Sequence, residues 1–217
     1  AATEIPGVAG MSGGLVGGIA EMLGKKNMAK GVKVEVGERE AAVDLFVIVE
    51  YGVRIPDIAL TVQENVKRAI ESLCGVNVGI KWVNDLILGN KKICGILAES
   101  VTDGKTSRTI LGIGINVNTA KDGFRGDLSD IASSPLIETG KLTDEGALCA
   151  EIIKNLDSIT ADRAGYLQEY RKSCATVGKD VIFYSQDGTH EGRVLGVDDS
   201  FSLEILTKNG EKRSIFS

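Results

Sequence analysis

Lys81, a single cation inside an apolar run, is the residue of this sequence best placed to do chemistry. It lies in the stretch Gly-Ile-Lys-Trp-Val, next to the only tryptophan of the chain. A lysine is rarely fully buried without a partner, so its ammonium should face a groove or a bound anion. The alternative is a lysine on an edge strand, whose stem covers apolar surface while its ammonium reaches water. The residue pattern supports both interpretations about equally.

Two glycines, Gly112 and Gly114, are the second feature that could serve a bound molecule. They lie two residues apart in an apolar run of strand type, so they fall on one face of one strand. A glycine inside a strand weakens it and often marks the close approach of a ligand or of another backbone. A bulge or a bend in the strand is the alternative.

Both features belong to a set of three motifs in a fixed order, at residues 81–85, 92–97 and 112–118. Together these motifs closely resemble the catalytic core of biotin protein ligases, which usually have proline at the position of Val83. The resemblance implies ATP-dependent formation of biotinyl-adenylate, followed by transfer of biotin to a lysine of a carrier protein. It therefore implies biotin, ATP and Mg²⁺ as ligands, and a biotin carboxyl-carrier domain as protein substrate.

The resemblance also assigns roles to individual residues. Lys81 matches the family lysine that offsets repulsion between the biotin carboxylate and the phosphate. Gly112 and Gly114 match strand positions that let the adenylate approach the backbone. Asn116 matches a side chain near the phosphates, which can act through magnesium.

The elements that must position these residues are strands. Three apolar, β-branched runs between residues 79 and 118 are separated by turn residues, with the tight-turn pair Gly89-Asn90 between the first two. The pattern predicts adjacent strands of one mixed sheet. Asn84 and Asp85 are expected to hold the turn that orients Lys81, and so to act on the site indirectly.

Residues 1–78 resemble another family, the alkaline-shock (cell-envelope stress-response) proteins of Gram-positive bacteria. The match rests on residues 7–14, 31–37 and 50–56, and it carries no catalytic residues because that family is not known as an enzyme family. The apolar segment 15–23 is interrupted by glycines and has weak helical spacing.

Further patterns in this first segment predict two strands and a helix. The strands are at 32–36 and 42–51, and the helix covers 56–73 with its apolar face formed by residues 58, 62, 66, 70 and 73. Each strand has one apolar face that must be buried. We therefore expect both strands to share a sheet with the strand at 79–83, with the helix packed on that sheet.

A glycine- and arginine-rich adenylate loop of Gly-Arg-Gly-Arg type precedes the lysine motif in biotin ligases. Here the alkaline-shock-like segment stands at that place, and the chain's only Gly-Arg pair is Gly192-Arg193. The strands that carry the family's biotin-pocket Ser/Thr and Gln are also expected to be absent. The sequence therefore predicts an incomplete catalytic site and a ligase of impaired activity. The alternative is a non-catalytic cell-envelope stress-response module.

The composition of the chain restricts the kinds of partner, compartment and metal site that are expected for it. The net charge of −5 argues against a nucleic-acid partner, and no apolar run is long enough for a membrane span. The start of the chain lacks the basic region of a signal peptide. The four cysteines lack metal-site spacing, so no metal ligand is predicted among them, and buried thiols in a reducing cytoplasm are expected. A homodimer is compatible with these features.

The sequence pattern of the tail of the chain predicts short strands separated by turns, and the tail resembles the SH3-like C-terminal domain of biotin ligases. The expected fold is therefore α+β. It combines a mixed sheet flanked by helices, a partial core of class II synthetase type, with a small C-terminal SH3-like β-barrel. The predicted domains are 1–78, 79–175 and 176–217. His190, the only histidine, is expected to be an exposed surface residue.

Overall fold

The computed structural model describes residues 8–11, 32–36, 41–49, 55–102, 107–157, 163–185 and 187–216. The apolar segment 15–23, considered above as a weak helix, lies outside these residues. So does the last part of the strand predicted at 42–51. Among the described helices, none combines the length and the apolar composition that crossing a membrane requires.

A seven-stranded sheet forms the centre of the described part of the chain. Its strands are β1 (Val8–Met11), β2 (Val32–Val36), β3 (Ala41–Val49), β4 (Gly79–Lys81), β5 (Asp85–Leu88), β6 (Lys91–Thr102) and β7 (Ser107–Ile115). Their spatial order is β1-β3-β7-β6-β5-β4, and β2 also pairs with β3. Strands from before and after residue 79 therefore share one sheet, as the apolar patterns predicted.

The direction of the strands differs in one respect from the expected mixed sheet. Every pair between these seven strands is antiparallel. Short turns connect β4 to β5 and β5 to β6, and a two-residue connection forces neighbouring strands to run in opposite directions. Residues 107–115 are a strand, as predicted, and β7 lies between β3 and β6.

Helices cover one face of this sheet. The helices are α1 (Ile55–Cys74), α2 (Leu128–Ile131), α3 (Pro135–Thr139), α4 (Glu145–Asp157) and α5 (Arg163–Ser173). Helix α1 contacts β6, α4 and α5. Val62, Val66 and Ile70 of α1 are fully buried, as predicted, whereas Leu73 is exposed because it lies in the last turn, where the chain leaves the helix.

The C-terminal part forms a separate four-stranded antiparallel sheet. Its strands are β8 (Asp180–Ser185), β9 (Gly188–Val197), β10 (Leu203–Thr207) and β11 (Lys212–Ile215), in the order β11-β10-β9-β8. The α+β class is confirmed, while the closed barrel stays a prediction, and so do the three domain boundaries. His190 is half-buried, because its ring stacks on Phe183 with centroids 5.3 Å apart.

Candidate functional site

The two faces of the large sheet differ in what covers them. On the helix-covered face, the side chains of Ile80, Leu86, Cys94, Ile96 and Ile113 are buried. Burial raises the pKa of the Cys94 thiol, which makes it inert as a nucleophile. The opposite face carries small and charged residues and is exposed at several positions. We call this opposite face the open face.

Three strand pairs place the predicted site residues in one row across the open face. Lys81 of β4 is opposite Asp85 of β5, Asp85 is opposite Gly95 of β6, and Gly95 is opposite Gly114 of β7. Residues directly opposite each other project to the same side of a sheet. The row thus begins with a lysine at the sheet edge and ends at a glycine near the sheet centre.

Gly112 lies on the same face, one step along β7. It is opposite Leu97 of β6, whose side chain is 55% exposed. Because Gly112 and Gly114 are two residues apart in a strand, they share a face, as predicted. Among the side chains that the structure describes, this exposed leucine therefore borders the two glycines.

Among the described residues, nothing requires glycine at position 114. The φ angle of Gly114 is not positive, and a methyl group there would meet no described atom within 4 Å. Gly95 is different, since a methyl group there would lie 3.0 Å from the Lys92 ammonium. A glycine without a conformational or packing reason leaves space at the surface of the strand that an approaching molecule can use.

Lys81 ends the edge strand β4, and its side chain is exposed. Within the described part of the chain, the Lys81 side chain makes no hydrogen bond and no ion pair. Its location on an edge strand fits the interpretation of a lysine that reaches water. Its location on the open face also leaves its ammonium available to an anion bound there.

Asp85 has a partner that the sequence did not reveal. Its Oδ1 is 2.6 Å from Nζ of Lys92, so the pair crosses from β5 to β6. Lys92 is the first residue of the second motif, and its position in the sheet brings it to the open face. Among the described side chains, this face therefore holds two lysines, of which Lys92 is neutralised by Asp85.

The turn after Lys81 is fixed by contacts from several elements. The Trp82 backbone N–H donates to Thr176 Oγ1 at 3.0 Å, and its indole Nε1–H donates to the carbonyl of Phe201 at 3.0 Å. The Asn84 carbonyl accepts from the Ile96 N–H at 2.8 Å, while the Asn84 side chain is exposed. The Trp82–Val83 peptide bond is cis.

Asn116 follows the end of β7, and its side chain is half-buried. Its backbone N–H donates to the Ile93 carbonyl at 2.8 Å, which anchors the residue to β6. The structure thus places Lys81, Asp85, Gly112 and Gly114 on one face, with Asn116 at the end of the strand that carries the glycines. The roles assigned to these residues stay predictions.

Two similarities to known proteins cover different parts of the chain. Residues 1–84 match the ASP23 family of alkaline-shock proteins, whose description is a cell envelope-related function. An uncharacterized protein of Bacillus subtilis, YqhY, is 37% identical over 89 residues, which are 41% of this chain and 64% of that protein.

The bifunctional ligase/repressor BirA of Bacillus spizizenii is 30% identical over 166 residues, which are 74% of this chain and 51% of that protein. The chain thus spans about half the length of this relative. A match over 74% of the chain must include part of α1, so the two similarities overlap in that helix.

The fold is that of a solved biotin protein ligase, from Aquifex aeolicus. Its apo structure superposes with a TM-score of 0.77 and 22% identity, over 91% of this chain and 90% of that chain. Its complex with biotin and ATP superposes with a TM-score of 0.73 over 90% of this chain and 80% of that chain. A superposition of this extent includes strands from both sides of residue 79. The chain is therefore similar to the alkaline-shock family in its first segment and to biotin protein ligases over a stretch that includes helix α1.

Proposed function

We propose that the open face binds biotin and ATP and supports slow formation of biotinyl-adenylate. The observation that carries this proposal is the row from Lys81 to Gly114. It combines an exposed lysine without a described partner with a glycine that neither its φ angle nor packing against the described residues requires. The sequence similarity to BirA and the fold of the Aquifex ligase support the same reaction class.

The dimensions of the face suit an extended ligand. Neighbouring strands lie about 4.8 Å apart, so three steps put the backbone of Lys81 about 14 Å from that of Gly114. The glycines would let the adenylate lie against the backbone of β7. The Lys81 side chain would reach inward from the edge towards the reacting carboxylate and phosphate.

The proposed role of Lys81 is electrostatic. In the first step the biotin carboxylate attacks the α-phosphorus of ATP and pyrophosphate leaves, so two anionic groups must come together. A fixed cation beside them offsets their repulsion and stabilises the charge that develops. In the second step a carrier-protein lysine attacks the acyl carbon and AMP leaves, so we propose a biotin carboxyl-carrier domain as substrate.

Mg²⁺ would accompany ATP. Protein sites for Mg²⁺ in such reactions commonly supply only one or two oxygen ligands, and the substrate phosphates and water provide the rest. The amide oxygen of Asn116 suits that limited role, since it is anchored beside β6 and β7. Asp85 is less suited, because Lys92 already neutralises its carboxylate.

Turnover is proposed to be low because of what precedes Lys81 in the sequence. No Gly-Arg-Gly-Arg stretch occurs there, and the chain's single Gly-Arg pair is in β9. A loop of that kind supplies cations on the far side of the phosphates and excludes water from the mixed anhydride. Binding is therefore expected to survive better than catalysis.

A second candidate function is a non-catalytic module of cell-envelope stress response. The observation that favours it is the alkaline-shock family match over residues 1–84. Isothermal titration of the whole chain with biotin, then with ATP and Mg²⁺, separates the two candidates. Heat of binding for biotin that increases in the presence of ATP supports the ligase-like site. No binding of either compound at millimolar concentration would contradict it and would favour the second candidate.

A further inference from the structure

A buried glutamine of α1 contacts the turn that carries Lys81. The Gln63 side chain is only 1% exposed, and its Nε2 donates to the carbonyl oxygen of Val83 at 2.8 Å. Its buried Oε1 has no hydrogen-bond partner among the described residues. This glutamine therefore joins helix α1 to a residue two positions after Lys81.

The energetics of burial make this contact informative. An amide group removed from water is destabilising unless its hydrogen bonds are replaced inside the protein. Gln63 keeps its polar group at a position where an apolar side chain would fill the space without that penalty. The hydrogen bond to Val83 is the contact of its side chain that offsets part of the penalty.

The turn that it contacts is fixed residue by residue from different elements. Trp82 is held by Thr176 and Phe201 from the C-terminal part, and the Asn84 carbonyl is held by β6. Gln63 fixes Val83, the residue between Trp82 and Asn84, whose side chain is exposed at the surface. The backbone leading from Lys81 is thus restrained at three consecutive residues.

We propose that Gln63 is a positioning residue for Lys81. By holding the Val83 carbonyl, it restrains the turn at residues 82–84 and keeps the Lys81 ammonium directed over the open face. This inference rests on the proposed function for the role of Lys81, but the restraint itself can be measured without a ligand. It also means that a helix matched by the alkaline-shock family contributes to the ligase-like site.

The chain offers a matched control on the same helix. Asn65 is 2% exposed, and its Nδ2 donates to the Thr61 carbonyl at 2.6 Å, within the helix itself. Replacing Asn65 by leucine removes a buried amide of similar size without touching the turn. Replacing Gln63 by methionine removes the amide at nearly constant side-chain length.

The single tryptophan of the chain makes the restraint measurable. Because Trp82 lies in the turn, its fluorescence reports on this segment alone. We expect the Gln63→Met variant to show a larger acrylamide quenching constant for Trp82 than wild type, and the Asn65→Leu variant to match wild type. In titrations with biotin, ATP and Mg²⁺, the Kd of Gln63→Met should rise about two- to tenfold, the ratio for one lost hydrogen bond.

The outcomes separate this inference from the proposed function. Increased quenching in Gln63→Met alone supports the restraint, even if wild type binds no ligand and the proposed function fails. Equal quenching in wild type and Gln63→Met would overturn the inference, as would equal Kd values in a wild type that binds. Should Gln63→Met not fold, NMR of the ¹⁵N-labelled wild type decides. The Gln63 side-chain amide protons should then exchange slowly, and exchange as fast as for an exposed amide would overturn the inference.

Discussion

The Asp85 carboxylate lies 2.6 Å from the Lys92 ammonium, although the residue opposite Asp85 in the β4–β5 pair is Lys81. Because the Lys92 side chain is 46% exposed, the pair contributes little to stability, typically about 0–1 kcal/mol. Its larger effect is on the charge of the open face. Since Asp85 neutralises Lys92, the positive charge of Lys81 stays available to an anionic ligand.

Replacing Lys81 by alanine should therefore weaken the binding of biotin with ATP and Mg²⁺. One hydrogen bond to a charged group contributes about 1.5–3 kcal/mol, so Kd should rise about ten- to a hundredfold. Isothermal titration measures the change. Lys212→Ala is the matched control, because Lys212 is also an exposed lysine on an edge strand, but in the second sheet. An unchanged Kd for Lys81→Ala would show that this lysine only covers apolar surface at the sheet edge.

Gly114→Val should separate binding from folding. A Cβ atom at this position meets no described atom within 4 Å, and glycine inside a strand costs about 0.5–1 kcal/mol relative to alanine. We therefore expect the free energy of unfolding to stay the same or to rise slightly. Ligand affinity should fall sharply, because the new side chain occupies the space over β7. Urea denaturation and titration of the same protein sample measure the two effects.

Gly192→Ala is a control with the reverse expectation, a loss of stability without a loss of ligand affinity. There a methyl group would lie 2.6 Å from the carbonyl oxygen of Leu206, so strand β9 or β10 must shift. Overpacking of this kind costs about 1–3 kcal/mol. The variant should be less stable than wild type yet keep its affinity for the ligands. Full affinity in Gly114→Val would mean that the ligands do not contact β7.

The strands after residue 79 were predictable because each has a strong local signal. Gly89-Asn90 specifies a tight turn, and the apolar residues of β7 indicate a buried strand, so their pairing follows from short connections. The pairing of β3 with β7 joins residues far apart in sequence. It was expected only because an apolar strand face must be covered, and its register could not be read from the sequence.

The site was predictable in part. The glycine spacing placed Gly112 and Gly114 on one face, but no local pattern identifies the partner of Asp85 or the contact of Gln63 with Val83. Both contacts depend on the three-dimensional register between elements. Helix α4 shows the same limit, since Thr143 and Asp144 are both residue types that commonly cap helices. In the structure Asp144 accepts from the Ala147 N–H at 3.0 Å instead, because Thr143 Oγ1 is directed to Cys74.

The expected absence of the strands that carry the family's biotin-pocket Ser/Thr and Gln concerns particular side chains, and it stays a prediction. The sheet does include strands before residue 79, because β1, β2 and β3 of the alkaline-shock-like segment occupy one side of it. A segment with a strand pattern and one apolar face can pair with the edge of a sheet, whichever family its sequence resembles.

Glu64 of α1 should make stability depend on pH. Burial raises the pKa of its carboxyl group, with Lys67 and Arg68 opposing that effect, and the residue is 1% exposed. A raised pKa in the folded state means that the folded chain holds this proton more tightly than the unfolded chain. The contribution of Glu64 to stability is therefore greatest below its unfolded pKa and is lost as pH rises through the folded pKa.

Glu64→Gln should remove that dependence. We expect the variant to have a higher free energy of unfolding than wild type at pH 7, and the difference to shrink as the pH falls towards 4.5. Urea denaturation at a series of pH values measures it. Glu151→Gln is the control, because Glu151 pairs with Lys154 at the surface of α4. A difference in the free energy of unfolding between Glu64→Gln and wild type that does not change with pH would contradict the assignment of the pH dependence to Glu64.

Biotin transfer by the whole chain should be very slow. In the proposed site, Lys81 and the glycines of β7 would hold one side of an adenylate, but pyrophosphate release also needs cations on the other side and exclusion of water. No stretch of the sequence places two arginines in a glycine-rich turn. Loss of one charge-stabilising group typically lowers kcat by about a hundred- to a thousandfold, and here several such groups are lost together.

The measurement is incorporation of labelled biotin into a carrier-protein acceptor with ATP and Mg²⁺, with an intact biotin protein ligase as positive control. Lys81→Ala serves as the negative control, because it removes the cation on which the residual rate depends. Turnover close to that of the intact ligase would refute the expectation. It would mean that basic residues of the first segment, such as Lys25, Lys26 or Arg54, supply the missing charge. Alanine variants of those three residues would then lose the activity, whereas Lys212→Ala would keep it.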